Sequence, residues 1–259
     1  MSEIRKIVSE FESTTLKEMD NVKLMNRTDT KFIFNVDKLP RILEQAKEKY
    51  KVLQINDERI LDYKTQYFDT KDFDLFIKHQ NKKLNRYKFR QREYLISDIS
   101  FFEVKFKSNK GRTIKKRIKT KGLQKRLSTE FINFIKANTP FSGKEFDTSV
   151  LNKFSRITLV HKKDSERITI DINLGYELNN NRAELPFLCI AEVKREGYNI
   201  SDFISILKEN KIYTQSMSKY SIGVLLLNKD LKYNNFKEKL LTLKKIAQND
   251  KYDSLFSRN

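Results

Sequence analysis

Basic side chains occupy every second position in one short run of this sequence. The four cations are Arg86, Lys88, Arg90 and Arg92, and the residues between them include aromatic rings. In an extended strand, successive side chains point to opposite faces, so the four cations share one face. An apolar core cannot bury uncompensated charges without a very large free-energy cost. This face must therefore contact water or an anion.

Several later segments repeat this alternation of polar and apolar positions. The polar positions are Glu103, Lys105, Lys107, Thr113, Lys115, Arg117, Lys119, Arg156, Thr158, Arg167, Thr169, Asp171, Asn173, Glu192 and Lys194. An ordinary half-solvated sheet also alternates, but it leaves the preference for Arg and Lys over neutral polar residues unexplained. Like charges on neighbouring strands repel. A face with this many cations therefore predicts an anionic ligand.

Carboxylates are interspersed among these cations. Glu103, Asp171 and Glu192 would moderate the repulsion and could hold a divalent metal. Mg²⁺ and Mn²⁺ prefer oxygen ligands and bridge naturally to phosphate oxygens. The sequence has no Cys/His cluster for zinc, and we interpret His79 and His161 as structural or surface residues.

The composition also favours a negatively charged partner. The 259 residues include 53 Lys plus Arg against 34 Asp plus Glu, which gives a net charge of +19. Nucleic acid, an anionic membrane surface or a phosphorylated small molecule would suit this excess. The glycine-rich phosphate-binding motifs are absent. We therefore expect side chains, chiefly guanidinium groups, to bind the phosphates.

Cysteine content and hydropathy indicate the compartment. The single cysteine, Cys189, excludes an internal disulfide and lies in an apolar run, which predicts a buried thiol. No segment approaches the roughly 20 apolar residues that span a bilayer, and the first residues do not resemble a signal peptide. We expect a soluble, cytoplasmic protein without a transmembrane segment.

The hydrophobic periodicity predicts one α+β domain built around an antiparallel sheet. Predicted strands cover 31–34, 63–68, 86–95, 100–107, 112–119, 154–160, 167–174 and 187–194. Predicted helices occupy 3–25, 72–78, 201–208, 218–227 and 234–248. Two further helices are predicted, one capped by Asp37 and the other by Ser128. Gly111 marks a hairpin turn, because glycine accepts the positive φ that such turns require.

The ordered motifs resemble the VTC domain, the polyphosphate-polymerising family of the triphosphate tunnel metalloenzyme superfamily. The resemblance extends from about residue 26 to residue 227. The segments that carry it are 27–31, 67–70 with Asp72, Phe73 and His79, 88–94, 102–105, 155–156, 167–171, 191–194 and 218–220.

This resemblance implies a fold and a site. The fold is an antiparallel β-barrel that forms a tunnel with a charged interior and is flanked by helices. Lys219, Arg90 and Arg92 are the implied catalytic residues, and Glu192 is the implied ligand of Mn²⁺ or Mg²⁺. The register leaves open whether Lys115 or Arg117 contacts phosphate. The full implied phosphate-binding set is Lys31, Lys88, Arg90, Arg92, Lys105, Lys115, Arg117, Arg156, Arg167, Lys194, Ser218 and Lys219.

The implied reaction transfers the γ-phosphoryl group of ATP onto inorganic polyphosphate. The partners are thus ATP and polyphosphate, and no nucleic acid is expected. The first strand lacks the alternating glutamates that mark hydrolytic tunnel enzymes, since Arg27 and Lys31 occupy that region. This favours polymerisation over hydrolysis.

Three alternatives remain at this stage. Hydrolysis of a triphosphate would need a water-activating carboxylate, for which Glu103 or Asp171 could serve. A nucleic-acid-binding module would place aromatic rings beside the cations, whereas Tyr87 and Phe89 fall on the opposite face. The chain could also bind polyphosphate without catalysis.

We divide the chain into an N-terminal helical segment, 1–25, a VTC-like tunnel domain, 26–228, and a C-terminal helix and tail, 229–259. An apolar stripe in the last segment consists of Phe236, Leu240, Leu243 and Ile246. We expect this helix to pack on the barrel, and docking to a membrane surface or a partner is the less favoured interpretation.

Overall fold

The computed structural model describes residues 1–21, 27–124, 126–197, 200–248 and 250–257. Part of the predicted helical region 3–25, residues 22–25, lies outside this range. No helix in the described part combines the length and apolar character needed to cross a bilayer.

Eleven strands form one sheet in the described residues. They are β1 (Ser13–Thr14), β2 (Arg27–Asn35), β3 (Tyr50–Leu53), β4 (Ile60–Asp69), β5 (Arg86–Tyr94), β6 (Ile99–Lys107), β7 (Thr113–Thr120), β8 (Asp147–His161), β9 (Glu166–Leu178), β10 (Asn181–Leu185) and β11 (Leu188–Glu196).

Nine α-helices are seen in the same residues. They are α1 (Ser2–Ser9), α2 (Leu16–Asn21), α3 (Leu39–Ala46), α4 (Asp74–Gln80), α5 (Thr129–Asn138), α6 (Asp202–Glu209), α7 (Lys219–Leu227), α8 (Lys237–Ala247) and α9 (Asp253–Phe256). Short 3₁₀ turns cover Val36–Lys38, Asn234–Phe236 and Asp250–Tyr252.

The main path of the sheet runs β2-β11-β9-β8-β4-β5-β6-β7. All pairs on this path are antiparallel. The predicted α+β fold with an antiparallel sheet is therefore confirmed. The predicted closure into a barrel needs a correction, because the end strands β2 and β7 do not pair with each other among the described residues.

The sheet curls instead of closing. Burial and Arg90 lower the pKa of Lys105 on β6, and the charges of Glu192 on β11 and Lys31 on β2 also act on it. These strands lie near opposite ends of the sheet, so their side chains can meet only across a curved surface. We call the side that carries these charges the tunnel face.

The residues along the two edges of the sheet explain why β2 and β7 do not pair. The free edge of β2 is covered by the segment after α6, where Thr214 forms a bridge with Phe32 and the Gln215 amide donates to the Lys31 carbonyl at 2.8 Å. Most of β7 is exposed, and Lys116 interrupts its outer apolar face. An edge strand rich in lysine resists further pairing.

Helices cover the outer face of the sheet. One apolar cluster joins α1, α3 and α6 to outward residues of β2, β8, β9 and β11. A second cluster packs α5 against Phe89 and Phe102. Cys189 is fully buried in the first cluster, which confirms the predicted core thiol.

The helix α7 lies on the tunnel face itself. All residues from Tyr220 to Leu227 are buried, and Gly223 faces the rings and methyl groups of Tyr176 and Val150. The tunnel interior is therefore apolar at this end and charged beyond the first turn of α7. The charged interior that the resemblance implied thus lies beside an apolar end, which α7 fills.

The C-terminal helix α8 packs on the fold as expected. Phe236, Leu240 and Leu243 are buried in the cluster that includes α7, and Ile246 packs against it. Its apolar stripe is thus satisfied within the molecule.

Local signals in the sequence were partly correct. Ser128 and Ser201 cap α5 and α6 through bonds from the Phe131 and Ile204 amides. The expected cap at Asp37 was wrong: Asn35 accepts the Asp37 amide at 2.9 Å and caps a 3₁₀ turn that precedes α3.

Candidate functional site

Asp171 lies at the centre of the first charged cluster. Arg156 donates two hydrogen bonds to its carboxylate, at 2.6 and 2.9 Å, and Lys219 forms an ion pair with the same group. Burial would raise the pKa of Asp171, but the two cations outweigh it and lower the pKa. Both cations also lie over the Phe154 ring, at 5.2 and 4.8 Å from its centroid. The carboxylate is thus ionised and fully engaged.

Glu103 anchors a second cluster on β6. Arg90 Nε and Lys115 Nζ donate to its two oxygens at 2.5 and 2.9 Å. The side chain of Glu103 is only 2% exposed. Burial would raise its pKa, but Arg90 and the neighbouring cations hold the pKa at about 2. A carboxylate so stabilised is a weak proton acceptor near neutral pH.

Glu192 on β11 forms a third cluster with two lysines. It pairs with Lys31, its cross-strand neighbour on β2, and Lys194 Nζ lies 3.7 Å from its second oxygen. Burial raises the pKa of Glu192, but Lys194 and Lys31 outweigh it and hold the pKa at about 2. Burial lowers the pKa of Lys194 to about 8, and Arg156 and Arg167 contribute to the decrease.

Arg92 lies between the first two clusters. Its Nε donates to Thr65 at 3.1 Å, and its guanidinium lies over the Tyr63 and Phe154 rings. Burial lowers its pKa, and the positive charges of Arg90 and Arg156 add to this effect. Crowding of guanidinium groups in a buried site indicates that an anion would be stabilised there.

Lys88 connects the charged face to the first turn of α7. Its Nζ donates to Ser218 Oγ at 2.9 Å, and Ser221 Oγ donates to the same oxygen at 3.2 Å. His79 Nδ1 lies 2.7 Å from Ser221 Oγ. Burial, together with the surrounding cations, lowers the pKa of Lys88 to about 7 and that of His79 to about 2. His79 is therefore neutral, whereas Lys88 titrates near physiological pH.

The remaining predicted residues border these clusters. Arg167 lies directly opposite Lys194 in the β9–β11 ladder. Lys115 joins the Glu103 cluster, while the Arg117 guanidinium lies over the Phe101 ring at 4.3 Å. The structure thus brings the whole predicted set onto one face, with Arg117 at its most exposed margin.

A model of the VTC domain family matches residues 26–228. The chain belongs to the VTC domain family. This confirms the resemblance that the ordered motifs indicated.

Solved structures similar to this VTC domain share low sequence identity with it. A putative adenylyl cyclase from Hippeastrum, described as having dominant triphosphatase activity, is 12% identical, covers 77% of this chain and 95% of its own, and has a TM-score of 0.49. A putative adenylate cyclase from Bacillus halodurans is 15% identical, with coverages of 75% and 96% and a TM-score of 0.46. Comparison with curated proteins gave no match.

The sequence analysis missed several residues of this VTC domain site. Asp29 lies opposite Lys194 on β2 and acts on its pKa. Ser221 was overlooked because a serine inside a helix carries no distinctive spacing. Tyr63 and Phe154 stack in parallel beneath the guanidinium groups. Tyr63 lies two residues before Thr65, and Phe154 lies two residues before Arg156. Since residues two apart in a strand share a face, this spacing could have placed both rings on the tunnel face.

The tunnel superfamily implies a divalent metal, and the donor set of this VTC domain can be tested for one. No group of three His, Cys, Asp or Glu side chains in the described residues could hold a metal. Mg²⁺ is commonly bound by one or two carboxylates together with substrate phosphates. The ionised Glu192 fits a metal of this kind, which protein and phosphate oxygens would hold jointly.

Proposed function

We propose that this VTC domain is a polyphosphate polymerase that transfers the γ-phosphoryl group of ATP onto a growing polyphosphate chain. A terminal oxygen of the chain forms a new bond to the γ-phosphorus. The bond between that phosphorus and the β–γ bridging oxygen breaks, and ADP leaves with the bond's electron pair. Each cycle lengthens the polyphosphate by one phosphate.

The observation that carries this proposal is that two buried carboxylates are ionised and bound by cations. Asp171 and Glu103 are the carboxylates that the sequence offered for activating a water molecule, and each is bound by two cations. Their lowered pKa values make them poor general bases. A polyphosphate end is already an anionic nucleophile and needs no base. The site therefore suits a phosphate acceptor better than water.

Positioning and charge neutralisation supply most of the catalysis in phosphoryl transfer. We assign Arg90, Arg92 and Arg156 to the orientation of the reacting phosphates, because their guanidinium forks match phosphate oxygens. Lys219 would stabilise charge on the transferred group. Lys31, Lys105 and Arg167 would align the remainder of the chain.

Glu192 is the proposed protein ligand of Mn²⁺ or Mg²⁺. A bound ion would supply positive charge that neutralises the phosphates. Lys31 pairs with this carboxylate; if an ion took its place, Lys31 would be available to contact phosphate. Lys194 would stay close enough to hold the ionised carboxylate in place.

The test is to incubate the purified protein with ATP and Mn²⁺ and to follow three products. The proposal predicts polyphosphate on a gel and ADP, with little free phosphate. Free phosphate without polymer would instead identify a hydrolase and contradict the proposal. Arg90→Ala and Lys219→Ala should abolish polymer formation while leaving the circular dichroism spectrum unchanged. Lys153→Ala, which removes a surface ion pair with Glu177, is the matched control.

A further inference from the structure

The charge pattern of the tunnel face changes along β5 and β6. In the middle of the strands, Glu103 lies opposite Arg90 and Arg117 in register, and its carboxylate pairs with Arg90 and Lys115. This arrangement is close to balanced and needs only a partial contribution from a ligand.

Toward the start of β5 the balance is lost. Lys88 lies directly opposite Lys105, and Arg86 lies directly opposite Lys107. Like charges in directly opposed positions destabilise a sheet. Two consecutive pairs of this kind are therefore costly unless an anion lies between them.

A fifth cation reaches the same end from outside the sheet. Lys239 Nζ on α8 lies 3.5 Å from Ser216 Oγ, two residues before the Ser218 cap. It also lies over the Phe236 ring, 5.2 Å from the centroid, and this ring packs edge-on against His79. These contacts hold the ammonium group close to Lys88.

The surroundings of Lys239 are positively charged. Burial lowers its pKa, and the charges of Lys82 and Arg86 lower it further. In the part of the chain that the structure describes, no ion pair joins Lys239, Arg86 or Lys107 to a carboxylate. α8 also lies beyond residues 26–228, the segment that matches the family model.

We propose that Arg86, Lys107 and Lys239 form an outer polyanion site, which binds phosphates of a linear polyphosphate chain beyond those held inside the tunnel. The identity of the ligand rests on the proposed function. The site itself rests on the opposed cations and on the position of α8. A linear chain of phosphates carries one negative charge per unit and can follow the cations outward from Lys88, whereas a short triphosphate ends inside the tunnel.

An anionic membrane surface is a different ligand class and fits less well. On α8, Leu240 and Leu243 are buried in the fold, and the exposed leucine is Leu241. A single exposed leucine does not make the apolar face that an interfacial helix inserts into a bilayer.

The experiment measures binding by titration calorimetry, without ATP or metal, so that it does not depend on catalysis. The probes are tripolyphosphate and long-chain polyphosphate. Lys239→Ala should weaken long-chain binding about two- to fivefold, as expected for a partly exposed charge pair, and Lys239→Glu should weaken it by about tenfold or more. Tripolyphosphate binding, measured at pH 6 where Lys88 is protonated in every variant, should be unchanged. Lys245→Ala, on another side of α8, is the control.

Several results would overturn this inference. The first is that the Lys239 variants bind long-chain polyphosphate as tightly as the wild type. The second is that they lose affinity equally for tripolyphosphate and for the long chain. The third is that they lose binding to anionic phospholipid vesicles while their polyphosphate affinity is unchanged. A wild-type protein that binds no polyphosphate would overturn both proposals. A protein that binds long chains through Lys239 but makes none from ATP would contradict the proposed function alone.

Discussion

At the scale of single residues, the site is organised by carboxylates that are each shared by cations. Glu103, Asp171 and Glu192 are all held ionised by neighbouring Lys and Arg side chains. Without them the guanidinium groups would repel one another through a medium of low dielectric constant. The carboxylates therefore keep the cations in place until phosphates arrive.

Glu192→Gln tests the metal assignment. The change keeps the size of the side chain but removes the charge that the proposed metal needs. We expect polymer formation to fall at least about tenfold, within the range by which metal-site substitutions lower activity. Mn²⁺ binding in the presence of tripolyphosphate, followed by electron paramagnetic resonance, should weaken in parallel. Glu177→Gln, at a surface ion pair, should change neither, and full activity of Glu192→Gln would refute the assignment.

Lys88 should make phosphate binding depend on pH. Its pKa in the free protein is lowered to about 7 by burial and by neighbouring cations, which are Lys105, Arg86, Arg90 and Lys239. The ammonium form, which attracts phosphate, is therefore populated below about pH 7 and lost above it. Affinity for tripolyphosphate should fall as the pH rises from 6 to 9.

Lys88→Arg provides the control, because a guanidinium stays charged throughout this range. The variant should lose the part of the pH dependence that Lys88 adds to the titrations of the ligand and of Lys194, whose pKa is about 8. Identical pH profiles for the two proteins would contradict the assignment of this titration to Lys88.

At the scale of elements, α7 connects the core to the site. Ser218 caps α7 and Lys219 is its first residue. The first turn also contacts α4: the Asp69 carboxylate, which accepts the Leu75 amide of α4, accepts a hydrogen bond from the Tyr220 hydroxyl, and His79 near the end of α4 contacts Ser221. A displacement of α7 must therefore move the proposed phosphate-binding residues Ser218 and Lys219.

Gly223→Ala tests this connection. A Cβ atom there would lie 2.5 Å from the Tyr176 ring and 2.9 Å from Val150, so α7 or β9 must shift. Overpacking of this kind costs about 1–3 kcal/mol. We expect a lower urea midpoint and reduced activity. Gly175→Ala, which meets nothing within 4 Å, should leave both unchanged, and a Gly223→Ala protein of normal stability would contradict the close packing.

Much of this arrangement could be predicted at the element scale. Alternation placed Arg86, Lys88, Arg90 and Arg92 on one face because strand geometry leaves no other choice. The position of α7 could not be predicted in this way, because a helix that is apolar on all sides has no polar face by which hydrophobic periodicity could orient it. The short strands β3 and β10 also lacked a distinctive pattern. The Asp37 cap failed because Asn35 offered a competing side-chain acceptor two residues earlier.

At the scale of the whole molecule, the net charge of +19 favours binding of a polyanion. Binding of a polyanion releases its counterions, so affinity falls linearly with the logarithm of the salt concentration. Lys105→Ala should reduce this slope by about one, as expected when one phosphate contact is lost. Lys116→Ala, on the outer face where Lys116 donates to Asn138, should leave the slope unchanged. Equal slopes for the two variants would exclude Lys105 from the site.

The global shape could be inferred only in part. The resemblance carried by the ordered motifs implied a tunnel, but pairing between the end strands depends on edge residues that no periodicity describes. The division at residues 25 and 228 stays a prediction. The packing of Ile4 and Phe11 with outward residues of the main sheet ties the N-terminal segment closely to it.

The central claim is that phosphates bind where Arg90, Arg92 and Arg156 meet on the tunnel face. A crystal structure of the protein with Mn²⁺ and a non-hydrolysable ATP analogue tests it most directly. We predict the triphosphate within hydrogen-bonding distance of these three guanidinium groups, with the ion bound to Glu192. A triphosphate bound on the outer face, with the three arginines still engaged only by Asp171, Glu103 and Thr65, would contradict the account.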